Sequence, residues 1–349
     1  MSFKRLDPED FLTSAQAVSQ TCWSNNAPVL ETFFTSSTQA ASISGKYYLN
    51  VFQTGSDNPN AVTQFNIAFG DNAGRGTVLY NSQVSNYSPS RTIYGQYRSL
   101  MLEDENATFN FGGVVSDYFY VISVERARYK EKLFNGSLDL RLSGSSTTAN
   151  TLTDLRLTDN SNDVSTPSYF GVQPYYQIIS GSQGTAYNKT SGINGNTTGY
   201  TANSGSYGLF FPDTATLILN GSALDLAANQ GVSLGTGLAD NTDQDNPFKL
   251  FQAISGSANF GLNCEETITS DFVFIRARNS EFNYSENPSF VSGSTGEVLY
   301  SYFINNPQVF PTTIGLYNDG NDLLAVAKLS RPILKDFTKE ALVRVKLDF

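Results

Sequence analysis

The chain has no histidine anywhere in its 349 residues. That absence removes Ser–His–Asp and Cys–His catalysis, histidine-ligated zinc or iron, and histidine pH switches. Cysteine is almost as scarce. Cys22 and Cys264 are too few and too far apart for a disulfide framework, and two free thiols in a reducing compartment are expected. Charge is thin as well, at 15% of residues, and acids outnumber bases 32 to 22 for a net charge of −10. A surface of that sign repels a phosphate backbone, so no nucleic-acid partner is expected. No apolar run reaches the ~18 residues a membrane helix needs, and "MSFKRLDPEDFLTSAQ" lacks a signal peptide's apolar stretch. The expectation is a soluble protein made in a cytoplasm, with no membrane partner and no cofactor.

What is present points to β-structure. Apolar residues make up 40% and aromatics 13%, enough for real cores, and the chain is rich in Tyr, Phe, Thr, Ser and Gly. The length exceeds the usual single core, so two domains are expected. Residues 1–45 read as an N-terminal arm and linker, with Pro8, Glu9 and Asp10 offering a helix start.

From Lys46 the period is two. "KYYLNVFQT" puts Tyr47, Leu49 and Val51 on one face, "QFNIAFG" puts Phe65, Ile67 and Phe69 on one face, and "GSLDLRLSG" aligns Leu138, Leu140 and Leu142. Such alternation marks half-buried antiparallel strands. Only "SPSRTIYGQYRSLMLEDEN", with Ile93, Tyr97, Leu100 and Met101, has helical spacing. Residues 46–145 are therefore expected to form one β domain. Residues 146–262 are rich in Gly, Ser, Thr and Asn, with Lys189 alone against seven acids between Arg156 and Lys249. They read as an ordered but peripheral β insertion, with a hairpin expected around Asn220-Gly221. Residues 263–349 return to strands and end on "ALVRVKLDF", where Val343, Val345, Leu347 and Phe349 alternate with charged residues, so a docked C-terminus is expected. The fold class expected is mainly β: two antiparallel β-sandwich or barrel-like domains, a Gly/Ser/Thr/Asn-rich β insertion and a short N-terminal arm.

Few stretches carry chemistry. Asn241, Asp243 and Asp245 copy the first oxygen ligands of a calcium loop, but Asn246 stands where glycine is wanted and Gln252 where an acid is wanted, so a solvated acidic turn is the better reading. "GDNAGRGT" clusters glycines after a strand without the Lys-Ser/Thr of a phosphate cradle, and reads as a β-turn. Asn106, Asn135, Asn188, Asn220 and Asn283, among others, begin Asn-X-Ser/Thr triplets and read as polar turns. Two segments stand out: "SDYFYVISVERAR" and "SDFVFIRAR" each run from Ser-Asp through large apolar residues to Arg-Ala-Arg. A two-residue period puts Arg126 and Arg128 on one face, and likewise Arg276 and Arg278. Solvent-facing arginines and an assembly joint with guanidinium forks on carboxylates are both open.

"SDFVFIRARNSEFNYSENPSF" and "FPTTIGLYNDGNDLLAVAKLSRPILKDFTKEALVRVKLDF" together resemble the C-terminal region of virion structural proteins of large contractile-tailed phages, in particular the baseplate wedge family. The Pro-Ile, Thr-x-Glu and terminal strand ending on Phe in "RPILKDFTKEALVRVKLDF" carry that likeness, and "FNIAFGDNAGRG" is similar to a strand near the family's N-terminus. The resemblance covers residues 46–142 and 271–349 and leaves the middle without a counterpart. It implies an all-β, two-domain, non-enzymatic protein that forms a homodimer and docks on other phage tail and baseplate proteins in the virion. The alternatives are a receptor- or glycan-binding tail protein and a neck or capsid-associated structural protein; a polysaccharide-cleaving enzyme ranks third.

Overall fold

The computed structural model describes residues 3–35, 47–77, 88–144, 154–187, 199–201, 203–227, 230–239 and 245–348. It is mainly β, 40% strand and 14% helix, with large antiparallel sheets, one of them a curled half-barrel. The chain forms two compact units, Val18–Glu266 and, discontinuously, Met1–Ala17 with Thr267–Phe349.

The larger unit is built on one sheet. Its main path runs Val29–Leu30, Phe260–Gly261, Asp139–Ser143, Asp154–Asp159, Gln173–Ser182, Gly208–Phe211, Thr216–Asn220, Tyr118–Val124, Thr63–Asp71, Tyr48–Phe52 and Phe34–Thr35. The central strands are buried on both faces, because each face meets its own apolar cluster. Phe65, Ile67, Phe69, Tyr120, Ile122, Leu217 and Leu219 enter one core. Ala68, Phe119, Val121, Leu209, Phe211 and Ile218 enter the other. The helix Asn246–Ser257 contributes Leu250 and Ile254 to the first core, and the helix Pro89–Leu102 contributes Ile93, Tyr94 and Met101 to the second. Period-two patterning thus places the strands correctly, but strands such as "FYVIS" and "TLILN" are covered on both faces rather than half-buried.

Several boundaries differ from the sequence expectation. Residues 46–145 and 146–262 do not separate, since Asp139–Ser143 pairs with Asp154–Asp159 and Thr216–Asn220 pairs with Tyr118–Val124. The Gly- and Asn-rich middle supplies sheet strands to the same cores, with Tyr207 and Leu217 fully buried. Short apolar runs such as "GLFF" and "TLILN" carry the burial there. The hairpin expected at Asn220-Gly221 lies earlier, between Gly208–Phe211 and Thr216–Asn220, and Gly221–Leu224 is a helical turn. The 1–45 arm is not helical where described: a 3-10 turn at Pro8–Asp10 leads into the strand Phe11–Thr21. The expected docking of Phe349 falls outside the described residues.

In the smaller unit, Ser270–Ala277 runs antiparallel to Ala341–Asp348, with Val273 opposite Val345, and Thr313–Tyr317 pairs with Leu323–Lys328 as a hairpin.

Candidate interaction surface

The residues singled out from sequence are not brought together as a pair of matching strand faces. The strand Tyr118–Val124 stops before the first Arg-Ala-Arg, which forms a 3-10 turn, Arg126–Arg128. Strand alternation does not apply there, so Arg126 and Arg128 do not share a strand face. Arg126 folds back on its own turn, donating to Tyr129 O at 2.7 Å with its guanidinium 4.6 Å from the Tyr129 ring centroid. Arg276 lies near the end of Asn263–Ala277, and Arg278 falls just beyond it. Arg276 is exposed and grips Glu340 of its own chain through Nε (3.1 Å) and Nη2 (2.7 Å), contacts that raise its pKa. Ion pairs this exposed contribute little to stability, because solvent screens them. The backbone N–H of Arg278 donates to Glu281 Oε2 at 2.8 Å. The repeated Ser-Asp to Arg-Ala-Arg pattern therefore does not mark two alike domains. One copy is a doubly buried central strand of the large sheet, and the other sits in the small one.

The remaining sequence candidates resolve as structure. Asn241 and Asp243 lie outside the described residues; Asp245 precedes the helix that begins at Asn246, so the later positions of the calcium-like window are helical. Asn246 is fully buried and stitches Gly76 and Gly237, donating to Gly76 O at 3.1 Å and Gly237 O at 2.9 Å. In "GDNAGRGT" the Asp71 carboxylate accepts from the Arg75 backbone N–H at 2.8 Å, and Gly74 takes φ +86°, as a tight turn requires. Asn220 and Asn283 are buried and hydrogen-bonded, which makes them poor glycan acceptors. Cys22 and Cys264 are buried free thiols; burial, with Cys264 alongside, pushes the Cys22 thiol up.

What sequence reasoning missed is how little the smaller unit buries. Among the described residues its buried apolar side chains are Val273, Val291, Phe303 and Val345. Against these stand Leu324 at 68% exposure, Leu342 at 67%, Ile304 at 65%, Tyr302 at 62%, Val326 at 58% and Phe337 at 57%. An open groove of about 2520 Å³ runs through this unit, lined by the Val273/Ile275 strand, the Val343 strand, the hairpin and the N-terminal residues Phe3–Pro8. Small-molecule pockets are usually about 300–1,000 Å³, so this groove is polypeptide-sized.

Its walls are held by polar anchors. Lys335 is buried and its ammonium donates to Asn283 Oδ1 (2.7 Å), Asp336 O (3.0 Å) and Asn279 O (3.1 Å), satisfying all three N–H groups. Lys4 pairs with Glu281 at 2.9 Å, which lowers that carboxyl's pKa, and the Phe3 ring meets Tyr317 edge-on at 5.1 Å. The signal available in the sequence was "TIGLY" and "LLAVAKL" around "NDGND": apolar residues at both parities, too many for a hairpin with one wet face. No protein-family model matches the chain, and neither the search of curated proteins nor that of solved structures finds a match.

Proposed function

We propose that this chain is a structural component of a phage virion, a contractile-tail baseplate wedge subunit that self-associates and joins neighbouring tail proteins. It acts by contact rather than by chemistry, needs no cofactor, and its negative charge keeps it off nucleic acid and points it to protein partners in the particle. The observation that supports this most is the smaller unit's exposed apolar surface around a polypeptide-sized groove. Contiguous exposed apolar surface on this scale marks protein interfaces. Arg276 and Arg278 are exposed in the same unit, and charged groups at the border of an interface tune register and association rate more than affinity.

Two measurements test the reading. Quantitative mass spectrometry of purified particles should find the chain at a fixed ratio to tail proteins; its absence from particles would overturn the assignment. The double variant Leu324→Asp/Val326→Asp should weaken co-purification with co-expressed tail proteins at least tenfold, since buried interface anchors typically contribute about 2 kcal/mol or more. Its melting should stay close to wild type, because both side chains are more than half exposed, at 68% and 58%. Unchanged co-purification would remove the hairpin from the interface.

A further inference from the structure

The strand Phe11–Thr21 stands at one end of its sheet, next to Asn263–Ala277, with no further strand beyond it among the described residues. Every residue from Phe11 to Gln20 is exposed and Thr21 is half-buried. "FLTSAQAVSQT" contains no charge and no proline over 11 residues, in a chain where 15% of residues are charged. The opposite edge of the same sheet, Ala341–Asp348, is built differently. It presents Arg344, Lys346 and Asp348, with Lys346 paired to Asp348 at 2.8 Å. Charges on an edge strand block pairing with another chain, and an edge lacking them is a template for one. One edge of this sheet is guarded and the other is open.

We propose that the open edge of Phe11–Thr21 docks the same strand of a second copy, antiparallel about a twofold axis at Gln16, joining the two sheets into one. The inference rests on the self-association in the reading above and names the surface that performs it. Charge argues for a second copy. Two chains of net −10 repel wherever their acids meet, so they approach best along an uncharged face. The same lack of charge gives the edge no electrostatic means of selecting a foreign partner. The register is self-matching. About Gln16, Phe11 falls opposite Thr21, Leu12 opposite Gln20, Thr13 opposite Ser19, Ser14 opposite Val18, and Ala15 opposite Ala17. Each larger residue meets a smaller or polar one, and no like charges face each other. On the inner side the strand is held by Thr13, whose hydroxyl donates to Asp271 Oδ1 at 2.6 Å. An antiparallel ladder of this length spans roughly 37 Å at about 3.4 Å per residue, long enough to fix one register.

The test uses the full chain. Sedimentation equilibrium should show a wild-type monomer–dimer equilibrium. Gln16→Lys, which sets two ammonium groups opposite each other on the twofold, should raise the dissociation constant at least tenfold in low salt. Salt should recover part of that loss, because it screens the repulsion. Circular dichroism, and melting at concentrations where both proteins are monomeric, should not change, since Gln16 is exposed. Under oxidised glutathione, Gln16→Cys should give a covalent dimer, its two thiols sitting about 4.5–5.5 Å apart between α-carbons. Gln20→Cys should not, because that register leaves its copies about 27 Å apart. The wild-type control should stay uncross-linked, as Cys22 and Cys264 are buried. A wild type that is monomeric throughout, a dimer indifferent to Gln16→Lys, or cross-linking at 20 in place of 16 would each overturn the proposal. A monomer that still joins tail proteins through Leu324 and Val326 sinks this edge and leaves the assembly reading standing. A Gln16-dependent dimer of a chain absent from particles does the reverse.

Discussion

Phe65→Ala is expected to be the most damaging single truncation in the larger unit, at about 3–5 kcal/mol. Phe65 is fully buried and its ring packs 5.2 Å from Phe260, 6.0 Å from Trp23 and 6.3 Å from Phe33. Its strand neighbours Val51 and Val124 fix the backbone on both sides, so the site has little room to collapse around a smaller side chain. The cost therefore adds a cavity to the lost transfer energy. Trp23 is the only tryptophan, and its indole N–H donates to Phe260 O at 2.7 Å, so its fluorescence reports this cluster directly. Denaturant titration followed at that signal should show a lower midpoint with little change in slope. A loss below about 1 kcal/mol would mean that the aromatic cluster repacks, contrary to the geometry.

Arg75→Ala should cost nearly as much, about 3 kcal/mol, by a different route. The Asp71 side chain has no solvent exposure, and Arg75 reaches it through Nη2 at 2.8 Å and Nε at 3.2 Å. Removing the guanidinium leaves a buried carboxylate with the Arg75 backbone N–H at 2.8 Å as its remaining contact from that turn. Arg75→Lys restores the charge without the planar fork and should recover only part of the loss. Chemical unfolding of the three proteins checks the order wild type, Lys, Ala. If Ala falls within about 0.5 kcal/mol of wild type, the pair behaves as an exposed one.

How much of this was legible depended on where each segment's partner lies. Strands such as Thr63–Asp71 declare themselves, because Phe65, Ile67 and Phe69 alternate and all three are buried. Helix Pro89–Leu102 was legible from Ile93, Tyr97 and Met101. Helix Asn246–Ser257 carried comparable signals, Pro247 at its start and Leu250, Phe251 and Ile254 at helical spacing, but the polar segment before it obscured them. The first strand was misread because "PEDFLTSAQAVSQT" has a local helix start, while the strand Asn263–Ala277 that overrides it lies some 250 residues away. The Arg-Ala-Arg coincidence misled for a related reason: the chain turns soon after Val124, and no local pattern distinguishes that turn from the continuing strand at Val273–Ala277. The groove left only the two-parity apolar pattern of "TIGLY" and "LLAVAKL" as a trace in the sequence, since apolar residues read alike whether a core covers them or nothing does.

The sequence by itself determined the β class, through period-two alternation and β-branched and aromatic content, and it ruled out histidine chemistry by composition alone. Those properties are local or summed over the chain, so no contact is needed to read them. Tertiary structure decided which alternating strands are covered on both faces, that the Gly- and Asn-rich middle completes the large sheet, and that Phe11–Thr21 is an unguarded edge. Each of these depends on pairings between residues far apart in the chain, where burial is settled by what arrives on the other face and not by the residue's own neighbours.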